Sequence, residues 1–250
     1  MSVLINLMQK SNKVVSQFGQ DGIHEEIFKL IGTTNKYFVE FGCSGLSRGN
    51  DNSSYLRTRL GFDGLLMNSY DTTSDNHKLR DYYVYTEFVK PSNVNTLFEK
   101  YSVPDEFDFL SISISGQDFH VWNAIDSAKY RPRVVCIESN HRILPSKDLV
   151  SQYDENYIWD GTPIYGSSAY ALQKLGYVKG YTLVAISGYY LIFIRSDICN
   201  RLHLKFLNEN NCIKLWFENI ELGYNTVVSR ELQDSFDTSA ELTSLSRYIA

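Results

Sequence analysis

The sequence predicts an α/β protein whose doubly wound, mostly parallel sheet ends in a C-terminal antiparallel hairpin. Three observations predict it. Short apolar runs alternate with segments of helical period, and parallel neighbours need such crossover connections. Two β-rich runs, 180–187 and 189–195, are split by Ser187-Gly188 as a hairpin requires. With 43% hydrophobic and 14% aromatic residues among 250, the chain can bury a large core, which excludes a disordered protein.

The elements follow in order. Residues 20–31 predict a helix, with Ile23, Ile27, Leu30 and Ile31 on one stripe and Asp21 near its start. Tyr37-Phe38-Val39-Glu40-Phe41-Gly42 reads as a buried first strand ending in a Gly turn. A helix over 52–60 places Leu56 and Leu60 four apart, and 62–68 is the second strand. Residues 81–89 alternate loosely, as a third, edge-like strand does. After a helix over 92–101 comes the fourth strand, 108–114, which runs into a helix over 116–125. The fifth strand is 133–138, and a Ser cap opens a helix over 167–175. Residues 202–220 are mixed in pattern, and the end beyond Ser229 reads as polar and frayed. With no repeat or linker, the expectation is one domain over 1–250, with a core of about 16–198 and a C-terminal extension over 199–250.

Composition narrows the partners. The net charge is −5 and Lys and Arg form no block, which argues against a general nucleic-acid surface. No apolar run approaches the ~20 residues of a membrane span. Residues 1–9 lack a basic start and a small-residue cleavage site, so a cytoplasmic location is expected. Cys43, Cys136, Cys199 and Cys212 are scattered, as free thiols in a reducing compartment would be. Oligomeric state is not legible.

In such sheets ligands collect outside the carboxyl ends of the strands. Glu40 and Gly42 close the first strand, with Gly45 in the same turn, Asn68 closes the second, and Ser113 and Ser115 close the fourth. Gly42 either approaches a cofactor closely or simply supplies a positive φ, while Glu40 either bonds a ligand or caps the next helix. Gln20 and Asp21 either favour a helix N-terminus or fold over the pocket. Asp118 and His120 lie two apart and share no helix face, so they are separate candidates for a base, with a helix cap and a half-buried ring as the alternatives. Glu138, Asn140 and His141 put a carboxylate, an amide and an imidazole within four residues at a strand's end, where a substrate-facing set and a loop salt bridge are both open readings. Tyr153, Tyr157, Trp159 and Tyr165 belong to a long loop expected to cover the pocket, stacking on sugar faces or packing as a lid. His24, His77 and His203 are isolated, so no metal site is expected. Neither a Gly-x-Ser-x-Gly nor a Walker-type phosphate loop occurs, and Cys136 sits within an apolar strand where it should be inert.

Six pieces occur in order over residues 16–198: Ser16-Gln17-Phe18-Gly19-Gln20-Asp21, Val39-Glu40-Phe41-Gly42, Gly64-Leu65-Leu66, Phe109-Leu110-Ser111-Ile112, Gly116-Gln117-Asp118, and Val135-Cys136-Ile137-Glu138-Ser139-Asn140. Together they resemble the FkbM-type methyltransferases, which use S-adenosylmethionine. The resemblance implies a Rossmann-like sheet of the methyltransferase type and O-methylation of a small molecule or glycan. It implies cofactor contacts at Gln20, Asp21, Glu40, Gly42, Gly45, Asn68 and Ser113, and proton removal or substrate orientation at Asp118, Glu138 and His141.

The chain departs from that family at three acidic positions. Gly42-Cys43-Ser44-Gly45 replaces a longer turn carrying Asp, Asn68 replaces the acid that grips ribose hydroxyls, and Ser113-Ile114-Ser115-Gly116 replaces Asp-x-Asp-Gly. Neutral hydroxyls are poor ligands for Mg²⁺ or Mn²⁺ without carboxylate partners. Two further classes therefore compete with the enzyme: a non-catalytic binding or scaffold protein that keeps the fold, and a pocket retuned for an anionic ligand.

Overall fold

The computed structural model describes residues 4–43, 51–69, 77–79, 82–224, 229–239 and 242–244. After a 3-10 turn at Met8–Lys10 comes α1, Gln20–Ile31, whose Ile23, Ile27 and Ile31 are buried as the stripe predicts. The chain continues through β1 (Tyr37–Phe41), α2 (Ser54–Leu60), β2 (Asp63–Asn68), β3 (His77–Leu79), β4 (Tyr82–Thr86), α3 (Val94–Lys100), β5 (Glu106–Ile112), α4 (Asp118–Ala124) and β6 (Arg131–Glu138). A short β7 (Leu149–Ser151) precedes α5 (Ala169–Val178), where the Ser168 hydroxyl accepts the Ala171 N–H at 3.1 Å as a helix cap. The hairpin is β8 (Tyr181–Ser187) and β9 (Tyr190–Arg195), followed by α6 (Ser196–Arg201), α7 (Cys212–Glu221), α8 (Arg230–Thr238) and β10 (Leu242–Ser244).

Eight strands form one sheet in the order β3-β4-β2-β1-β5-β6-β9-β8. The pairs β4–β2, β2–β1, β1–β5 and β5–β6 are parallel, whereas β9 runs antiparallel to both β6 and β8, and β3 to β4. From β1 the chain first builds outward through β2 and β4, then returns to β1's other side with β5 and β6. Right-handed crossovers in opposite directions put the connecting helices on opposite faces. The result is a doubly wound, mostly parallel Rossmann-like sheet with a C-terminal antiparallel hairpin. The central strands are buried over nearly their whole length, because both faces of the sheet are covered.

Three expectations are corrected. The strand expected over 81–89 is not an edge, since β3 pairs outside it. The mixed stretch 202–220 contains α7, which buries Leu215 and Trp216. The end expected to fray beyond Ser229 holds α8 and β10 instead: Phe236 and Leu242 pack with Ile143 in a small second core, and β10 pairs with β7. Their partners lie some ninety residues away in sequence, beyond the reach of local pattern. All four cysteines are buried thiols that form no disulfide. Among the described residues, no helix is long and apolar enough to cross a membrane.

Candidate active site

The carboxyl edge of the sheet places one residue from each central strand in a transverse row. Asn68 pairs with Thr86, Phe41 with both Met67 and Ile112, Ile112 with Ile137, and Glu138 with Tyr190. One step past Phe41 and Ile112, Gly42 and Ser113 continue the register, with the Gly42 N–H on Met67 O at 2.9 Å and the Ser113 N–H on Phe41 O at 3.1 Å. Asn68, Gly42, Ser113, Glu138 and Tyr190 therefore follow one another across five strands. At this edge β1 is flanked by strands reached in opposite directions, the position where such sheets bind ligands.

A cavity of about 460 Å³ opens there, lined by Gly42, Asn68 and Ser113 and by residues from two loops. The loop after β4 contributes Glu87, Phe88 and Lys90, and the loop between β6 and α5 contributes Tyr157 and Trp159. The size lies within the range of small-molecule sites. Gly42 is required on two counts. Its φ is +76°, and a Cβ would stand 1.7 Å from the Ser113 carbonyl oxygen. The strand ends thus meet with bare backbone at the cavity wall.

The acids near the wall are buried. Ser113 Oγ donates to Glu138 Oε2 at 2.7 Å and lies 3.2 Å from the Tyr190 hydroxyl. Burial, reinforced by the neighbouring Asp118, pushes the Glu138 carboxyl up to about 8 against the pull of the Ser113 hydroxyl and the Ser115 N–H. Asp118 accepts the Ile114 N–H at 2.8 Å on one oxygen and the Gly116 N–H at 2.9 Å on the other. Burial raises its pKa too, partly offset by those N–H groups. It fixes the turn in which Ser115 has φ +57° and Gly116 φ +144°, and a Cβ on Gly116 would collide with the Tyr157 ring at 2.3 Å. The lid thus seats on the glycine that Asp118 shapes.

His141 is not joined to Glu138 by a hydrogen bond. It stacks on Tyr189 with centroids 5.7 Å apart, its Nδ1 is without a partner, and burial together with Arg142 lowers it to about 4. His120, half of the separate pair, bonds the Ser151 carbonyl at 2.7 Å.

Three other expected cofactor residues form a polar layer outside the cavity wall. Glu40 accepts the Asn52 N–H at 2.9 Å, the Ser53 N–H at 3.0 Å and the Ser53 hydroxyl, tying β1 to the start of α2. Burial, then the nearby Asp51, raises it to about 7, with Ser53 and Arg57 opposing. Gln20 joins this layer through Asn52 at 2.8 Å, and Asn52 reaches Ser111 at 3.0 Å. Asp21 gathers the N–H groups of Val14, Val15 and Ser16 at 2.7–2.9 Å on one oxygen. Gly45 lies outside the described residues.

Sequence reasoning missed Glu87, Phe88 and Lys90, although a strand ending near 86–89 points to the same edge. Glu87 bonds Lys100 at 2.5 Å and Tyr101 at 2.6 Å, which outweigh its partial burial and lower its pKa. Glu155 latches the lid to the opposite loop through Ser92 at 2.6 Å and Lys90 at 3.5 Å. Among the described residues, no group of three His, Cys, Asp or Glu side chains could hold a metal ion.

No protein-family model and no curated protein matches the chain. Among solved structures it is similar to the MycE methyltransferase from the mycinamycin biosynthetic pathway, determined in complex with Mg, SAH and mycinamycin VI. The identity is 16% and the TM-score 0.44, over 78% of this chain and 56% of that one. This chain therefore spans little more than half of that protein's length.

Proposed function

We propose that the chain transfers a methyl group from S-adenosylmethionine to a hydroxyl on a small molecule or glycan, as its resemblance to the FkbM-type enzymes implies. The observation that carries this reading is the transverse row. Gly42, Asn68 and Ser113 border a ligand-sized cavity at the switch of strand direction, with a buried carboxyl bonded directly behind it. The donor set fits a nucleoside. Asn68 offers an amide to hydroxyls, the bare backbone at Gly42 permits close approach, and Phe88, Val89, Ile114 and Tyr157 offer apolar and aromatic walls for a base.

When bound, S-adenosylmethionine supplies an electrophilic methyl group, and the protein's share is alignment and proton removal. Of the three candidates for that proton, Glu138 is the one supported. Asp118 has both oxygens on backbone N–H groups, and His141, lowered to about 4, is a weak base turned against Tyr189. Tyr157 and Trp159 of the lid loop line the same cavity and would shield a bound ligand from water.

A second reading, a binding protein that keeps the fold, draws on the neutral Asn68, Ser113 and Ser115. The anionic-ligand reading is less supported, since Glu87, Asp154 and Glu155 also line the cavity and Lys90 is paired with Glu155. Calorimetric titration with S-adenosylhomocysteine, with and without Mg²⁺ or Mn²⁺, is the test. Micromolar binding is expected, and no binding at millimolar ligand would overturn the methyltransferase reading.

A further inference from the structure

We propose that Ser113, Glu138 and Tyr190 act as one hydrogen-bonded relay, in which Glu138 takes the proton of a bound hydroxyl through the Ser113 side chain and Tyr190 positions Ser113. This inference rests on the methyltransferase reading and deepens it, moving Ser113 from cofactor contact to proton transfer.

The geometry gives the roles. Glu138 and Tyr190 are register partners across β6 and β9, and Ser113 continues the same row from β5. Ser113 belongs to the cavity wall, whereas Glu138 stands behind it and is 8% exposed. A hydroxyl bound in the cavity therefore meets Ser113 first. A serine hydroxyl has one proton and two lone pairs. Its proton goes to Glu138 Oε2 at 2.7 Å, so the 3.2 Å contact with Tyr190 is filled by the Tyr190 proton. One lone pair remains, and it can accept the O–H of the ligand. Tyr190 is buried, with its pKa raised well above 10 by that burial, so it keeps the proton it donates.

The surroundings suit an acid that titrates near the working pH. Asp118 on α4, Tyr189 in the turn between β8 and β9, Tyr190 on β9, and Tyr165 on the lid loop face Glu138, and the Ser115 N–H also points to it. Cys136 on β6 acts on Tyr190, and Arg142 acts on Tyr165. The groups that directly favour the Glu138 carboxylate are neutral donors, Ser113 and Ser115. A base of raised pKa is matched to removing a proton from a hydroxyl.

In the step itself, the ligand O–H bond breaks and its proton moves to Ser113 Oγ. The original Ser113 proton moves to Glu138 Oε2, converting carboxylate to neutral acid. The electron pair left on the ligand oxygen forms the bond to the methyl carbon, and the pair of the broken carbon–sulfur bond stays on sulfur. Each proton and electron pair is accounted for without an oxidant or metal.

The test needs no acceptor. Carboxyl-¹³C glutamate is incorporated, the Glu138 resonance is assigned by its loss in Glu138→Gln (or in Glu138→Asp if the first fails to fold), and its pH titration is followed. The wild type should titrate near 8. Tyr190→Phe should raise the midpoint by about half a unit, because a Ser113 hydroxyl that receives no proton donates more weakly to the carboxylate. A Tyr190 with a merely structural role would lower melting temperature and leave the midpoint in place, and that result overturns the relay. So does a wild-type midpoint near 4.5. Titration with S-adenosylhomocysteine on the same samples separates the two levels. Binding together with a midpoint near 4.5 removes the relay alone, while no binding with a midpoint near 8 removes the methyltransferase reading and with it the relay's substrate.

Discussion

The pair β5–β6 carries buried acids at both ends, and the two ends are built differently. At the amino end Asp108 meets Arg133 at 2.6 Å and also accepts the N–H groups of Thr34, Asn35 and Lys36 at 2.7–3.1 Å. Arg133 in turn holds the Ile31 and Gly32 carbonyls at the end of α1, each at 2.8 Å. Asp108 and Arg133 there each have an opposite charge and backbone partners as well. At the carboxyl edge Glu138 and Asp118 are buried too, yet their partners are hydroxyls and backbone N–H groups. A saturated pair fastens the sheet, whereas an acid short of countercharge holds a proton more readily and so can serve as a base.

The largest effect should come from breaking the fastened end. Asp108→Ala leaves Arg133 buried without its partner and should cost about 3–5 kcal/mol, lowering the melting temperature by roughly 6–20 °C. Calorimetric melting checks it, and a loss no larger than that of a surface substitution would erase the contrast between the ends.

The next effect tests the other end by pH. The folded-state pKa of Glu138 is raised to about 8, so the native protein keeps a proton that the unfolded chain releases above about 4.5. Its contribution is therefore fully present below that unfolded value and is lost as pH rises to about 8. Glu138→Gln should melt with the wild type near pH 4.5, then become the more stable protein by up to a few kcal/mol at pH 8, with the gap level above. A gap that does not change with pH contradicts the assignment.

Gly42→Ala follows in size. The positive φ and the overlap with the Ser113 carbonyl should cost about 1–3 kcal/mol and weaken binding of S-adenosylhomocysteine, because the wall itself must shift. Tyr157→Ala should leave the fold intact and weaken that binding about tenfold, the share of one aromatic contact of about 1.4 kcal/mol. Smallest is Glu155→Ala, which removes an exposed latch. No measurable change in melting temperature is expected, but amide exchange over residues 153–159 should quicken.

The two ends also differ in what the sequence reveals. Strands such as Phe107-Asp108-Phe109-Leu110 and Val134-Val135-Cys136-Ile137 were legible because fully covered strands read as continuous apolar runs. Their carboxyl ends then named Gly42, Asn68, Ser113 and Glu138. Tyr190 was not legible, since only the register of the β6–β9 pair sets it opposite Glu138. Nor was Arg133, whose partner Asp108 lies twenty-five residues away on the neighbouring strand. Gln20 had a signal that went unused: it stands three and four positions before Ile23 and His24 on the same stripe, and all three are buried. The short β3 and the small core of Ile143, Phe236 and Leu242 depend on distant pairing, which local periodicity does not record.

Amide exchange with and without S-adenosylhomocysteine tests the central claim most directly, because it reads both ends of β5–β6 in one experiment. Ligand should slow exchange at 42–43, 68–69, 87–90, 113–117 and 154–159, and leave 31–36, 106–108 and 131–133 unchanged. Protection confined to the amino end, or none anywhere at saturating ligand, would contradict a donor site at the carboxyl edge.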